Sequence, residues 1–540
     1  MLQLIDNHNR AATAREPRCP HERGHGTLRA CATRSLGALL VASVSALAQL
    51  GPAPAPSPGT VANQLPLSGR TAQTGSVSAT QSAVPGTTSS VNTLNTSVES
   101  SGPFTGSASS AAKAPFSGKL SFREAIERGL AYNLGTVGMA EALRQSRGQT
   151  RVARSSLLPN LSATLTETEQ QINLAIAGIR FQSPFPGLSI PTIVGPYNYF
   201  DLRARLTQTV ADMSAWKNYR SAEEITRANA FTLRDARDLV ILGVGGAYLQ
   251  VIAAKARVDS ARAQLDTAKA LFEQASQQRA VGLVAQTDAN RSRVEMLTGQ
   301  ERLVTLQNDL SKQKINLARL TGLPANDQFD ITDDVPFSPA PPIGIDEALE
   351  QAYAHRQDLK AAEAQVRAAT FTRSAARAER MPSLSLSADY GANGLKPDES
   401  HGTFNVTGTL TVPIWRGGRA EGDIMQADAA LAQRQAEVQD LRAKIESDVR
   451  SAFLDLQAAA NQVSVADENL KVTKETLNLT RQRFEAGVSD NVEVVQAQQS
   501  LASADLDYIN SVFAHNVAKL SLARAIGGAA DNVSRFLKLP

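Results

Sequence analysis

The chain has 540 residues, 42% of them hydrophobic and only 5% aromatic, with 55 Lys+Arg against 52 Asp+Glu and a formal charge of +3. Six arginines lie in the first 48 residues, opposed by Asp6, Glu16 and Glu22; subtracting these from 55 and 52 leaves 49 of each sign. That balance excludes a nucleic-acid binder, which needs a net basic footprint. Cys19 and Cys31 lie in the same segment, so the rest of the chain has no disulfide, cysteine nucleophile or cysteine-ligated zinc.

In chain order, residues 36–48 (LGALLVASVSALA) form a short apolar run preceded by Arg29 and Arg34. Ala46-Leu47-Ala48 closes it with small residues where a signal peptidase reads. Residues 1–48 are therefore expected to be a signal peptide with a long n-region, cleaved before Gln49. No cysteine sits at that point to carry a lipid. Residues 49–117 are dominated by Pro, Ser, Thr, Gly, Ala and Gln. Such a composition buries too little apolar surface to offset its ordering entropy and predicts a disordered linker. Beyond it no uninterrupted apolar stretch reaches 18 residues, so entry into a membrane requires a β-barrel.

The remainder is duplicated. LSFREAIERGLAYN at 120–133 matches IGIDEALEQAYAHR at 343–356, and both run on without a gap to Pro159 and Pro382. Further along, GAYLQVIAAKARV at 246–258 matches SAFLDLQAAANQV at 451–463, Gly282 matches Gly487, and NLARLTG at 316–322 matches SLARAIG at 521–527. The first half is longer, and its excess lies between Gln170 and Tyr197. This divides the ordered chain into a first repeat (118–335), a second (336–530) and a tail (531–540). Each repeat is expected to run helix, strand, loop, strand, very long helix, sharp turn, long returning helix.

The strands show period two. Leu384, Leu386, Ala388 and Tyr390 alternate with Ser383, Ser385, Ser387 and Asp389; Phe404, Val406, Leu410 and Val412 alternate with smaller or polar residues. Leu161, Ala163 and Leu165, then Phe200, Leu202, Ala204 and Leu206, do the same in the first half. The pattern fits a half-buried strand or a barrel strand with lipid on one side, and alone does not choose. The long helices are proline-free from residue 216 to 281, roughly 100 Å at 1.5 Å per residue. Val258, Ala261, Leu265, Ala268, Phe272 and Ala275 make a small-residue coiled-coil seam, repeated by Val463, Ala466, Leu470, Thr473, Leu477, Thr480 and Phe484. Gly243, Gly245 and Gly246 interrupt the first helix; no strand precedes them, which removes a phosphate-loop reading. His355, His401 and His515 are far apart, and no hydrolase, zincin or Walker motif occurs. Nothing points to an enzyme, a cofactor or a metal.

LLPNLSA and RMPSLSL after the first helices, LTVPIWRGGRA leading into a long helix, and RAVGLVAQTDA (279–289) and FEAGVSDNVEV (484–494) at the turns together resemble the TolC family of outer-membrane efflux proteins. The resemblance covers residues 118–530. LTQTVADMSAW in the first half departs from it, lacking the Pro and Gly-Gly of the second-half junction. The resemblance implies a mixed α and β fold: a homotrimer whose chains each give four strands to a twelve-stranded outer-membrane β-barrel, continued by a periplasmic α-helical barrel. It implies a passive exit duct for efflux or type I secretion, with a periplasmic adaptor (membrane fusion) protein and an inner-membrane pump as partners and lipid around the barrel. It places adaptor docking at two tips, Gly282-Leu283-Val284 and Gly487-Val488-Ser489. It places a periplasmic gate at Glu493, which matches a carboxylate lining the tunnel's narrow end. A second acidic position one turn on is here Gln496, and Asp288 is the first-half counterpart of Glu493. The residues alone leave open a secreted coiled-coil scaffold or adhesin without a barrel. An enzymatic site in the long first-half loop rests on its length only, since 171–196 hold no His, Cys, Asp or Glu.

Overall fold

The computed structural model describes residues 75–83, 94–108, 118–176, 192–325, 328–486, 488 and 491–537. The expected signal peptide and residues 49–74 lie outside them. The chain divides into two compact units. In one, the described residues are 169–176 and 192–198, the ends of two strands facing each other across a long connection; Gln170 Nε2 donates to the Tyr197 hydroxyl at 2.6 Å and Leu174 N to Thr192 O at 2.8 Å. The other unit holds all the remaining elements.

The duplication appears element by element. In the first half α1 (Phe122–Tyr132) and α2 (Leu134–Ser155) lead into β4 (Asn160–Asn173) and β5 (Ile193–Ala211), then α3 (Met213–Ala280) and α4 (Gln286–Thr321). In the second, α5 (Ile345–His355) and α6 (Gln357–Ala378) lead into β7 (Ser383–Gly394) and β8 (His401–Thr411), then α7 (Arg419–Glu485) and α8 (Asn491–Ile526). Three short pieces complete the order: β1 (Val77–Ala83) and β2 (Leu94–Ser100) before α1, and a two-stranded parallel pair of β3 (Lys119–Leu120) with β6 (Asp330–Ile331). A last helix, α9 (Ala529–Leu537), follows.

The helix boundaries have local causes. Ser121 caps α1 by accepting from Glu124 N at 3.2 Å, and Asn133 caps α2 by accepting from Gly135 N at 2.9 Å. The departure noted in LTQTVADMSAW is explained by Asp212. That single residue joins β5 to α3, its carboxylate accepting from Ala215 N at 3.0 Å. In the second half the junction is longer, and Gly417 and Gly418 turn it in the left-handed region (φ 61° and 82°). The coiled-coil seams pack as expected with one change of phase: Leu271 is buried where Phe272 is only half-buried.

Two cores lie where the repeats' short helices meet the long ones. The first gathers Leu120, Phe122, Val240, Ile241, Val244, Tyr248, Leu317 and Leu520. Phe122 and Tyr248 meet edge to face at 5.4 Å, and the Tyr248 hydroxyl donates to Leu120 O at 2.9 Å. The second gathers Ala348, Leu359, Ile445, Val449, Leu522 and Ile526. By composition α3 contains a stretch apolar enough to cross a membrane, but 72% of that window is buried, as in a core helix.

One expectation is corrected. Within the segment expected to be disordered (49–117), β1 and β2 form an antiparallel pair, Val77 opposite Ser100 and Ala83 opposite Leu94, followed by a 3₁₀ turn at Gly102–Thr105. Val77 and Phe104 are buried in the first core. The order comes from a distant surface rather than from local composition. Gly243 and Gly246 remove side chains from α3 where the strands lie: a Cβ on Gly246 would sit 2.6 Å from Val98 Cγ2, and one on Gly243 3.2 Å from Ser100 Oγ. Gly245 faces the other way, toward Leu520 and Phe122. The second half lacks these glycines because Asp448, the counterpart of Gly243, accepts from Arg356 Nη1 at 3.0 Å instead. Beyond the second repeat, α9 buries Val533, Phe536 and Leu537.

Candidate functional site

β4, β5, β7 and β8 form one four-stranded sheet in that order. Its register shows where the alternating residues stand. Tyr390 lies opposite Phe404 and Ala204, Ala388 opposite Val406 and Leu206, and Leu384 opposite Leu410. Residues directly opposite share a face, so the apolar residues of these strands stand on one side of the sheet. They are uncovered: Leu202, Tyr390, Phe404, Val406 and Leu410 are all exposed, and so are Leu161 and Leu165 on the neighbouring β4. From Leu410 to Phe404 the apolar run spans roughly 20 Å at 3.3 Å per residue. Ile414 and Trp415, just beyond β8, are 95% and 86% exposed. The opposite face is polar. Ser385, Thr209 and Thr409 share a level, as do Ser387, Thr207 and Thr407.

The other site is the pair of helix turns. Gly282 adopts φ 79°, and Leu283 N donates to Gln278 O at 2.8 Å, closing the end of α3. The equivalent bond at the end of α7 runs from Val488 N to Arg483 O at 3.0 Å. Leu283 and Val488 are 75% and 69% exposed, while Val284 is half-buried. Gly487 and Ser489 lie outside the described residues. Glu493, in the first turn of α8, is half exposed and pairs with Arg483 Nη1 at 3.4 Å. Gln496 is exposed one turn further. Asp288 pairs with Arg291 at 3.3 Å, and its backbone carbonyl accepts from Asn491 Nδ2 at 3.2 Å.

Asn491 escaped the reading of the sequence. It is buried and also donates to Ser292 Oγ at 2.8 Å, tying the start of α8 to the start of α4. Arg483 escaped it too, since an arginine on a long helix reads as a solvated face. The only available signal was the repeat, which aligns Arg483 with the uncharged Gln278. Near this end Leu271, Leu477, Val494 and Ala497 form a small apolar cluster between the two helical hairpins.

His355 and His401 are exposed and His515 is buried. Among the described residues no group of His, Cys, Asp and Glu could hold a metal.

The family described as outer membrane efflux protein matches residues 137–323 and 348–528, which are the two halves of the duplication. Outer membrane protein TolC of Escherichia coli is 23% identical over 339 residues, covering 60% of this chain and 68% of TolC. Outer membrane protein OprJ of Pseudomonas aeruginosa is 27% identical over 402 residues, covering 72% of this chain and 80% of OprJ. The crystal structure of outer membrane protein VceC from Vibrio cholerae superposes with a TM-score of 0.64 at 19% identity, covering 75% of this chain and 96% of VceC. These matches support the duct and not the scaffold or adhesin. With an uncovered apolar sheet face continued by two long helical hairpins, this chain belongs to the outer membrane efflux protein family and is a TolC-like channel protein of the outer membrane.

Proposed function

We propose that three copies of this chain assemble into a passive exit duct, a twelve-stranded barrel in the outer membrane continued by a periplasmic helical tunnel. The observation that carries this reading is the four-stranded sheet whose apolar residues share one uncovered face. β4 and β8 are its outer strands, and lipid does not tolerate an open edge. Cyclic symmetry closes such a sheet by pairing the edge of one copy with that of the next. β7 and β8, with 12 and 11 residues, meet the length that a tilted barrel strand needs. Tyr390, Phe404 and Trp415 supply aromatic residues near the two ends of the apolar band.

The tips Gly282-Leu283-Val284 and Gly487-Val488-Ser489 dock a periplasmic adaptor protein, which links the duct to an inner-membrane pump. Exposed Leu283 and Val488 on two equivalent turns fit an apolar partner contact. Glu493 from three copies lines the narrow end, with Gln496 making that ring less acidic than two carboxylates would, and Asp288 holding the neighbouring turn. The Asn491 bonds hold the two tips together and the Arg483–Glu493 pair braces the α7–α8 turn; opening breaks the Asn491 bonds. Residues 1–48 direct export and are removed. The duct performs no chemistry and uses no cofactor. The test is outer-membrane fractionation followed by native mass spectrometry of the detergent-extracted protein. A trimer from the outer membrane supports the duct; a monomer soluble without detergent defeats it.

A further inference from the structure

On the polar face of the sheet, the ionisable residues of β5, β7 and β8 are gathered into one band. Asp201, Arg203 and Arg205 alternate along β5, and Asp389 stands on β7 opposite Arg205. The rest of that face along the β5–β7–β8 pairing is Ser, Thr, Asn and Gly391, with His401 at its end. Four charges on these three strands therefore occupy three adjacent levels of the wall.

Within the band the charges are unequally used. Arg203 Nη1 bonds the Asp389 carboxylate across the strands, and its Nε lies 3.3 Å from Asp201. Its remaining nitrogen reaches Thr403 Oγ1 on β8 at 3.4 Å. One guanidinium thus holds two carboxylates, whose side chains are only 28% and 12% exposed. Arg205, although directly opposite Asp389, is exposed and makes no hydrogen bond or ion pair among the described residues. β5 is an interior strand with β4 and β7 of this same chain on either side, so an assembled neighbour does not lie beside it in the sheet.

We propose that Arg205 is the charge-selecting residue of the barrel section, the one group of the band that meets passing solutes, and that it favours anionic groups such as carboxylates. Arg203 is the positioning residue that draws both carboxylates back against the wall. The assignment rests on the duct reading, which turns the polar face toward water and sets three Arg205 around one axis. Counted per copy, two arginines offset two aspartates; removing Arg205 leaves one net negative charge, or three per ring.

The test is the cation-to-anion permeability ratio of single pores in planar bilayers under a potassium chloride gradient. The variants are Arg205→Gln, Arg205→Glu and Arg205→Lys. For three charges roughly 10 Å from the axis, Coulomb's law in water with screening gives a change of about fourfold in that ratio at 0.1 M salt, and more at 0.01 M. Arg205→Gln should shift the pore toward cations by about that factor, Arg205→Glu further, and Arg205→Lys should keep the wild-type ratio. Arg205→Gln pores with wild-type selectivity at both salt concentrations would overturn the assignment and leave the duct standing. A wild-type protein that forms no pore would overturn both.

Discussion

Gly246→Ala is the sharpest probe of the unexpected order in the N-terminal segment. The added Cβ would lie 2.6 Å from Val98 Cγ2 and 2.9 Å from both its Cβ and Cγ1, closer than real Cβ contacts allow. Relief requires Val98, and with it β2, to move off α3. Overpacking of this kind costs about 1–3 kcal/mol. At 1.4 kcal/mol per tenfold, the pair β1–β2 should open roughly 5- to 150-fold more often. The same substitution favours α3 itself by about 0.8–1.0 kcal/mol, because alanine is the better helix former. The two effects have opposite signs in different places, so hydrogen exchange separates them. Peptides spanning 77–83 and 94–100 should exchange faster, while those from the middle of α3 should not. Val98→Ala removes two of the three colliding atoms, so the double variant should lose less protection than the two single variants together. Unchanged protection of residues 77–100 in Gly246→Ala would refute the seating of these strands on the glycine surface.

Three further outcomes follow from the geometry. Asn491→Ala removes the bonds that tie α8 to Ser292 Oγ and the Asp288 carbonyl, which keep their bond to each other, and should cost about 0.5–1.5 kcal/mol per bond locally, read as faster exchange or spin-label mobility at the tips. Gly282→Ala meets no neighbouring atom but forces alanine to φ 79°, at about 1–2 kcal/mol; its effect should stay within the α3–α4 turn. His515 is wholly buried against Phe337, with neither ring nitrogen hydrogen-bonded, and burial followed by the nearby Lys519 charge lowers its pKa to about 4. The unfolded chain takes up the proton near pH 6.5 and the folded chain only near 4. His515 therefore destabilises the fold progressively as pH falls through that window, by about 3 kcal/mol at its end. His515→Phe should flatten the dependence of denaturant stability on pH between 7 and 4.

Much of this architecture was readable in the chain. Phe122 and Ile345 open matching helices at the same offset as the helices beginning at Leu134 and Gln357, because the repeat conserves the spacing of the helices even where the side-chain caps Ser121 and Asn133 are replaced by Gly344 and Arg356. Period two identified β7 and β8 because the apolar residues of both strands stand on one face of the sheet. What stayed hidden depended on contacts between distant segments. β1 and β2 are rich in Ser and Thr and gain their order from Gly243 and Gly246, more than 140 residues away. The glycines in turn looked like defects in a helix until the strands covered them. The charged band was hidden for the same reason. Alternation put Arg203 and Asp389 on a polar face, but their meeting follows from the β5–β7 register between two halves of the duplication. At the tips, the family resemblance singles out Glu493 and the repeat adds Asp288, whereas Asn491 has no such signal, because one polar residue beside a turn has no periodic signature.

The central claim is that this chain forms a gated pore, and planar-bilayer conductance of the detergent-extracted protein tests it most directly, with wild type compared to Glu493→Ala. The account predicts a small wild-type conductance, with Glu493→Ala releasing Arg483 and changing both the conductance and the ion selectivity. A protein that inserts no pores under any condition would contradict it.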